Sequence, residues 1–174
     1  PPRLTTINPD YTVNKERPFE IHADVWPHLR RLLEEAEEDG VDLRVASSFR
    51  SFGTQSSLKS AYVTTYGAGT ANRFSADQGY SEHQLGTTVD FSTSKLGGDF
   101  SKFETTPAYA WLTKEAHKYG FVLSYPKNNA YYQHEPWHWR FVGIDLARKL
   151  QEEGKHFYDL DQRELDSYLV KIFD

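Results

Sequence analysis

At 174 residues the chain is about one domain's worth, long enough to bury roughly two-thirds of its unfolded surface without help from disulfides. It has no Cys, which excludes a disulfide framework and thiolate-held zinc, so any metal must be ligated by His, Asp or Glu. A net charge of −5 without basic runs argues against a nucleic-acid surface, and no apolar run is long enough to span a bilayer.

Residues 1–19 mix polarities with several prolines and no sustained period, which reads as an extended arm lying on a domain formed by residues 20–174. Pro1-Pro2-Arg3-Leu4 resembles neither a signal peptide nor a natural start, so a trimmed N-terminus that once carried an export signal is expected. From Ala23, the residues Val25, Trp26, Leu29, Leu32, Leu33 and Ala36 recur at three- and four-residue steps, the pattern of one helix face, and Gly40 stops the helix. Val41, Leu43 and Val45 alternate with Asp42 and Arg44 as a short half-buried strand running into Ser47-Ser48-Phe49-Arg50-Ser51. Gln55, Leu58, Tyr62 and Tyr66 line a second helix, and residues 67–79, rich in Gly, Ala, Ser and Asn, form a loop.

Thr88 to Ser92 returns to alternation, placing Asp90 on a strand opposite in facing to Val89 and Phe91, before a turn at Gly97-Gly98. Thr106-Pro107 is an N-cap followed by proline at the first helical position, and Gly120 ends that helix. Strands are expected at 121–124, 131–133 and 137–142, with a turn at 125–129, and helices at 144–153 and 161–173. Helices segregated from antiparallel-looking strands indicate an α+β fold, a single domain whose small sheet carries the chemistry.

That chemistry concentrates in two stretches. Ser81-Glu82-His83-Gln84-Leu85-Gly86-Thr87-Thr88-Val89-Asp90 offers an imidazole and a carboxylate seven positions apart, and Glu135-Pro136-Trp137-His138-Trp139-Arg140 offers another of each. Two His and two acids are what a catalytic zinc site requires: three N or O ligands, an open position for water, and a base beside that water. His134-Glu135-Pro136-Trp137-His138 also spells H-E-x-x-H, which on a helix would present both imidazoles to one metal. Pro136 opposes a helix, at a cost of about 3 kcal/mol. Trp137, Trp139 and Phe141 alternate with His138 and Arg140, as in a strand. The two readings differ on His134 and agree on Glu135 and His138. His22, His28, His117 and His156 belong to no motif and are read as structural.

Taken with Ser47-Ser48-Phe49-Arg50-Ser51 and Gln55, these motifs resemble the VanY-type D-alanyl-D-alanine carboxypeptidases, within the zinc peptidases that include lysostaphin-like enzymes and the hedgehog zinc domain. The likeness runs in order from Pro18 to Leu150 and takes in Tyr119-Gly120-Phe121 and Leu123-Ser124-Tyr125-Pro126. It implies one Zn²⁺ per chain held by His83, Asp90 and His138, with Glu135 as catalytic base and Arg50 steadying the substrate carbonyl. Gln55 and Ser81 would line the substrate cleft. Phe49 and Thr88 depart from the family's usual Tyr and Ala, residues 128–134 lack the expected glycine-containing turn, and the tail from Phe157 diverges.

The implied activity is removal of a C-terminal D-alanine from peptidoglycan stem peptides by a monomer acting outside the cytoplasm, as a D,D- or an L,D-carboxypeptidase. The alternatives are a lysin-type endopeptidase cutting cross-links, and a zinc-stabilised binding module without turnover. A base beside His138 counts against the last, since a structural zinc closes its fourth position and needs none.

Overall fold

The computed structural model describes residues 1, 3–57, 60, 81–129 and 132–169. Strand β1 (Leu4–Thr6) pairs antiparallel with β2 (Glu20–His22) in a two-stranded ribbon. Between them Ile7 and Phe19 are buried in the core, and Thr12 bridges to Val45, so this first segment is stitched to the body of the protein.

Helix α1 (Trp26–Glu38) buries Leu29, Leu32, Leu33 and Ala36, the expected face. Each of the leucines is worth about 1.5–3 kcal/mol when fully removed from water. Gly40 beyond its end sits at φ +73. The next strand begins later than alternation suggests: β3 is Arg44–Ser47, while Leu43 is buried just ahead of it. The second helix starts earlier, at 52–57, and its expected continuation through Leu58, Tyr62 and Tyr66, like the loop over 67–79, lies outside the described residues.

Strand β4 (Thr88–Ser92) follows a 3-10 turn over Glu82–Leu85, and all five of its residues are buried. Thr106 caps helix α2 (Pro107–Glu115) by accepting the Tyr109 N–H, and the chain reaches Gly120 through a 3-10 turn at Ala116–Tyr119. Then come β5 (Phe121–Leu123), β6 (His138–Phe141), helix α3 (Ile144–Glu153), a 3-10 turn at Phe157–Asp159 and helix α4 (Gln162–Leu169). Residues 132–133 are not in a strand, contrary to expectation. Tyr132 N–H instead donates to the Asn129 side chain.

The four-stranded sheet has the order β3-β4-β6-β5, antiparallel throughout. Its register faces Asp90 with His138, Thr88 with Arg140, and Val89 with Trp139. Since facing residues share a side of the sheet, Asp90, His138 and Arg140 project one way and Val89, Phe91, Trp139 and Phe141 the other. The apolar side packs with α1, α2 and Phe103 in the main core. A smaller cluster of Val142, Leu146, Ala147 and Leu150 is covered by Phe157, Leu160, Leu165 and Tyr168, which ties the C-terminal turns to α3. No helix among the described residues is long and apolar enough to cross a membrane.

Candidate metal centre

The register brings together what the sequence separates. Asp90 and His138 are cross-strand neighbours, and His83 reaches the same spot from the 3-10 turn that leads into β4. That turn ends at Gly86, in the left-handed region at φ +71. A Cβ there would come within 3.2 Å of the His22 backbone nitrogen and 3.3 Å of Leu4, so glycine lets the β1–β2 ribbon close over the turn. The His22 N–H donates to the Gly86 carbonyl at 2.8 Å and completes the contact.

One ligand atom from each of His83, Asp90 and His138 lies within 4.8 Å of the other two, and all three residues are buried. His83 Nε2 is 3.3 Å from Asp90 Oδ2, and His138 Nδ1 is 3.2 Å from Asp90 Oδ1. A zinc ion with ligand bonds of about 2.0–2.2 Å sets the edges of its tetrahedron at roughly 3.3–3.6 Å, close to the two His–Asp separations. Buried His83 Nε2 and Asp90 Oδ1 have no hydrogen-bond partner among the described residues, which a buried polar atom does not normally tolerate.

The outer nitrogens of both rings are engaged. His83 Nδ1 lies 2.7 Å from the Ser48 carbonyl, and a carbonyl can only accept, so Nδ1 carries the hydrogen and Nε2 faces inward with its lone pair. His138 is the mirror case, its Nε2–H donating to the Glu82 carboxylate at 2.8 Å and leaving Nδ1 to face Asp90. Fixing the ligand tautomer through the far nitrogen is how proteins prepare imidazoles for a metal. The donor set fits a single divalent cation with one position left open.

Electrostatics follow the same layout. Burial raises Asp90, but the two imidazoles outweigh it and hold the carboxyl well below the usual range. Burial lowers His83, with Asp90 opposing, so that imidazole is neutral near pH 7. Burial would lower His138 too, yet Asp90 and Glu82 together push it up to about 10 in the metal-free protein. The rings differ because His138 lies between two carboxylates, whereas His83 has one and feels the Arg50 charge.

Glu135 stands at the edge of the cluster, its Oε2 3.5 Å from His138 Nδ1 and its side chain 19% exposed. Burial pushes its carboxyl up to about 7, with Asp90 and Glu82 raising it and His138 and Arg50 opposing. Its place is set by backbone bonds: the Glu135 N–H donates to the Tyr125 carbonyl, and the His138 N–H to the Glu135 carbonyl. Pro136 therefore sits in a turn ahead of β6 and not in a helix, which decides between the two readings of H-E-x-x-H. His134 points away, its Nδ1 at 3.0 Å from the Tyr125 carbonyl and its Nε2 at 3.6 Å from Glu104.

Arg50 donates its backbone N–H to the His83 carbonyl, its buried Nε has no hydrogen-bond partner among the described residues, and its charge bears on both His83 and Glu135. Gln55 is buried in the helical segment after it, and Ser81 is buried at the start of the 3-10 turn. Sequence reasoning passed over Glu82. It lay within the quoted motif beside a ligand histidine, but an acid in a 3-10 turn gives no sign of facing inward, and its side chain is 5% exposed.

The family model for VanY, D-alanyl-D-alanine carboxypeptidase, matches residues 18–144. The chain belongs to this family. A D-alanyl-D-alanine carboxypeptidase of Enterococcus faecalis (strain ATCC 700802 / V583) is 31% identical over 146 residues, covering 77% of this chain and 53% of the relative. The chain thus spans about half the length of the curated relatives it matches. Among solved structures, the LdcB LD-carboxypeptidase aligns with a TM-score of 0.79 at 29% identity, covering 98% of this chain and 78% of LdcB. A vancomycin-resistance D,D-pentapeptidase VanY from a VanB-type cassette, solved in complex with Zn(II), aligns at 0.70 and 30% identity, over 87% of this chain and 84% of the other. The α+β fold is that of these VanY-family neighbours.

Proposed function

We propose that this chain is a zinc-dependent carboxypeptidase that removes the terminal D-alanine from peptidoglycan stem peptides, with His83, Asp90 and His138 as metal ligands. The observation that carries the reading is the convergence of His83 Nε2, Asp90 and His138 Nδ1, each aimed inward by an outer partner or strand register, with Glu135 alongside. Zn²⁺ in such a site would supply Lewis acidity and lower the pKa of a coordinated water towards neutrality.

The chain's own groups do the rest. Glu135 takes the proton of the attacking water and passes it to the departing amine, a task suited to a carboxyl poised near neutrality. Arg50 steadies the oxyanion that develops on the substrate carbonyl, where losing one donor typically costs about 3–4 kcal/mol of barrier. Gln55 and Ser81 line the approach. The family match and the LdcB and VanY neighbours support a terminal D-alanine as leaving group. Such a substrate places the action outside the cytoplasmic membrane.

The test is mass spectrometry of two synthetic stem peptides, a pentapeptide ending in D-Ala-D-Ala and a tetrapeptide ending in one D-Ala, incubated with zinc-loaded and chelated protein. Zinc-dependent loss of one alanine is expected. Loss from the pentapeptide alone marks a D,D-carboxypeptidase, and loss from the tetrapeptide an L,D-carboxypeptidase. If both peptides survive while cross-linked peptidoglycan is cut, the protein is an endopeptidase and the proposal fails.

A further inference from the structure

Glu82 accepts four hydrogen bonds from four directions. Its Oε2 takes the His138 Nε2–H and the Ser124 hydroxyl, each at 2.8 Å. Its Oε1 takes an Arg140 guanidinium N–H at 2.9 Å and the Tyr158 hydroxyl at 2.7 Å. Two oxygens offer about four acceptor sites, so this carboxylate is saturated, and with 5% exposure it can neither bind substrate nor carry a proton during turnover. What it can do is hold. A ligand imidazole whose far nitrogen is anchored to a carboxylate has both its ring plane and its tautomer fixed.

One of the groups that hold the anchor, Tyr158, comes from far along the chain, and its neighbour Phe157 packs on another, Arg140. Tyr158 lies in the 3-10 turn Phe157–Asp159, beyond the residues 18–144 that match the family model. Its neighbour Phe157 lies under the Arg140 guanidinium, 4.3 Å from ring centroid to carbon. The Tyr158 ring runs parallel to that of Tyr125 at 6.2 Å, and Tyr125 stacks on the His138 imidazole at 4.6 Å. The turn therefore touches His138 by two routes, one through Glu82 and one through an aromatic stack.

We infer that the C-terminal turn is a working part of the metal centre: Tyr158, acting through Glu82, is a positioning residue that holds His138 in its metal-binding orientation. This rests on the zinc reading of the site. Zinc affinity depends on how much of the ring's order is present before the metal arrives, so a change of one hydroxyl on an outlying turn is felt at the metal.

The experiment measures zinc affinity by competition with a chromophoric chelator for the full chain, Glu82→Gln, Tyr158→Phe and the double variant, with thermal unfolding of the chelated proteins alongside. Glu82→Gln, which places an amide N–H against donors, is expected to weaken zinc binding roughly 10- to 100-fold, the usual effect of losing such an outer partner. Tyr158→Phe is expected to weaken it roughly three- to tenfold, the worth of one hydrogen bond, with little change in unfolding temperature. In the Glu82→Gln background the Tyr158→Phe change should add nothing. That non-additivity is what a merely structural tyrosine would not produce.

Unchanged affinity in Tyr158→Phe, or fully additive losses in the double variant, overturns the inference. Should Glu82→Gln fail to fold, Tyr158→Phe alone decides, since its side chain is only half-buried. A parent chain that binds zinc without cleaving stem peptides refutes the carboxypeptidase reading and leaves this comparison standing, whereas a parent that binds no zinc overturns both.

Discussion

Replacing Glu135 by Gln separates chemistry from metal binding. Its Oε2 lies 3.5 Å from His138 Nδ1, within one water's reach of the ligand cluster, and Glu135 is not among the three residues whose ligand atoms converge. An amide keeps the size of the side chain and loses its basicity. A positioned general base contributes about 10²- to 10⁴-fold, or roughly 3–5 kcal/mol of barrier, so kcat on the stem peptide should fall by that factor. Zinc affinity should stay within about threefold.

Stability gives the control. Burial and Asp90 raise the Glu135 carboxyl from 4.5 to about 7 in the metal-free protein. An unfolded chain gives up this proton from about pH 4.5 and the folded one only near 7, so the ionised group weakens the fold as pH rises through that window. Chelated Glu135→Gln should therefore be more stable than the chelated parent at pH 7 and above, while its zinc form is nearly inactive. Turnover within threefold of the parent would refute the base assignment. Loss of zinc would make Glu135 a ligand.

Three further outcomes are expected. His134→Ala should keep one zinc per chain by metal analysis, because His134 turns toward Tyr125 and Glu104; loss of the metal would contradict the strand reading of His138. Apparent zinc affinity, measured by chelator competition, should rise about tenfold per pH unit from 7 towards 10, because a proton raised to about 10 on His138 must leave before Nδ1 can bind. In the chelated protein the same raised pKa contributes stability that is fully present below about 6.5 and lost as pH rises through 10, so its unfolding temperature should fall over that range. Gly120→Ala should lower stability by about 2–4 kcal/mol in a denaturant titration. Its φ is +83, and a Cβ would stand 2.6 Å from the buried Phe141 ring, so left-handed strain and overpacking act together.

The elements that carry the site were legible where one local pattern dominates. Leu29, Leu32, Leu33 and Ala36 share a helix face because 3.6-residue periodicity is written along the chain, and Thr106-Pro107 and Gly120 mark both ends of a helical stretch by backbone chemistry alone. Boundaries drifted where Val41 and Leu43 face the core without pairing, since burial and strand hydrogen bonding are separate demands. At 132–133 no strand forms, and Tyr132 gives its N–H to the Asn129 side chain instead of to a neighbouring strand.

The sequence by itself determined the chemistry available: no thiolates, three motif histidines, acids beside them, and a proline that breaks the helical form of H-E-x-x-H. Which atoms meet was decided only by the tertiary structure. Pairing of β4 with β6 brings Asp90 against His138, 48 positions away along the chain, and nothing local encodes that register. The Ser48 carbonyl and the Glu82 carboxylate choose Nε2 on one ring and Nδ1 on the other, because a tautomer is set by whatever acceptor the fold presents. Tyr158 joins the site for the same reason: its part depends on where the last turns pack, and packing is a property of the whole molecule.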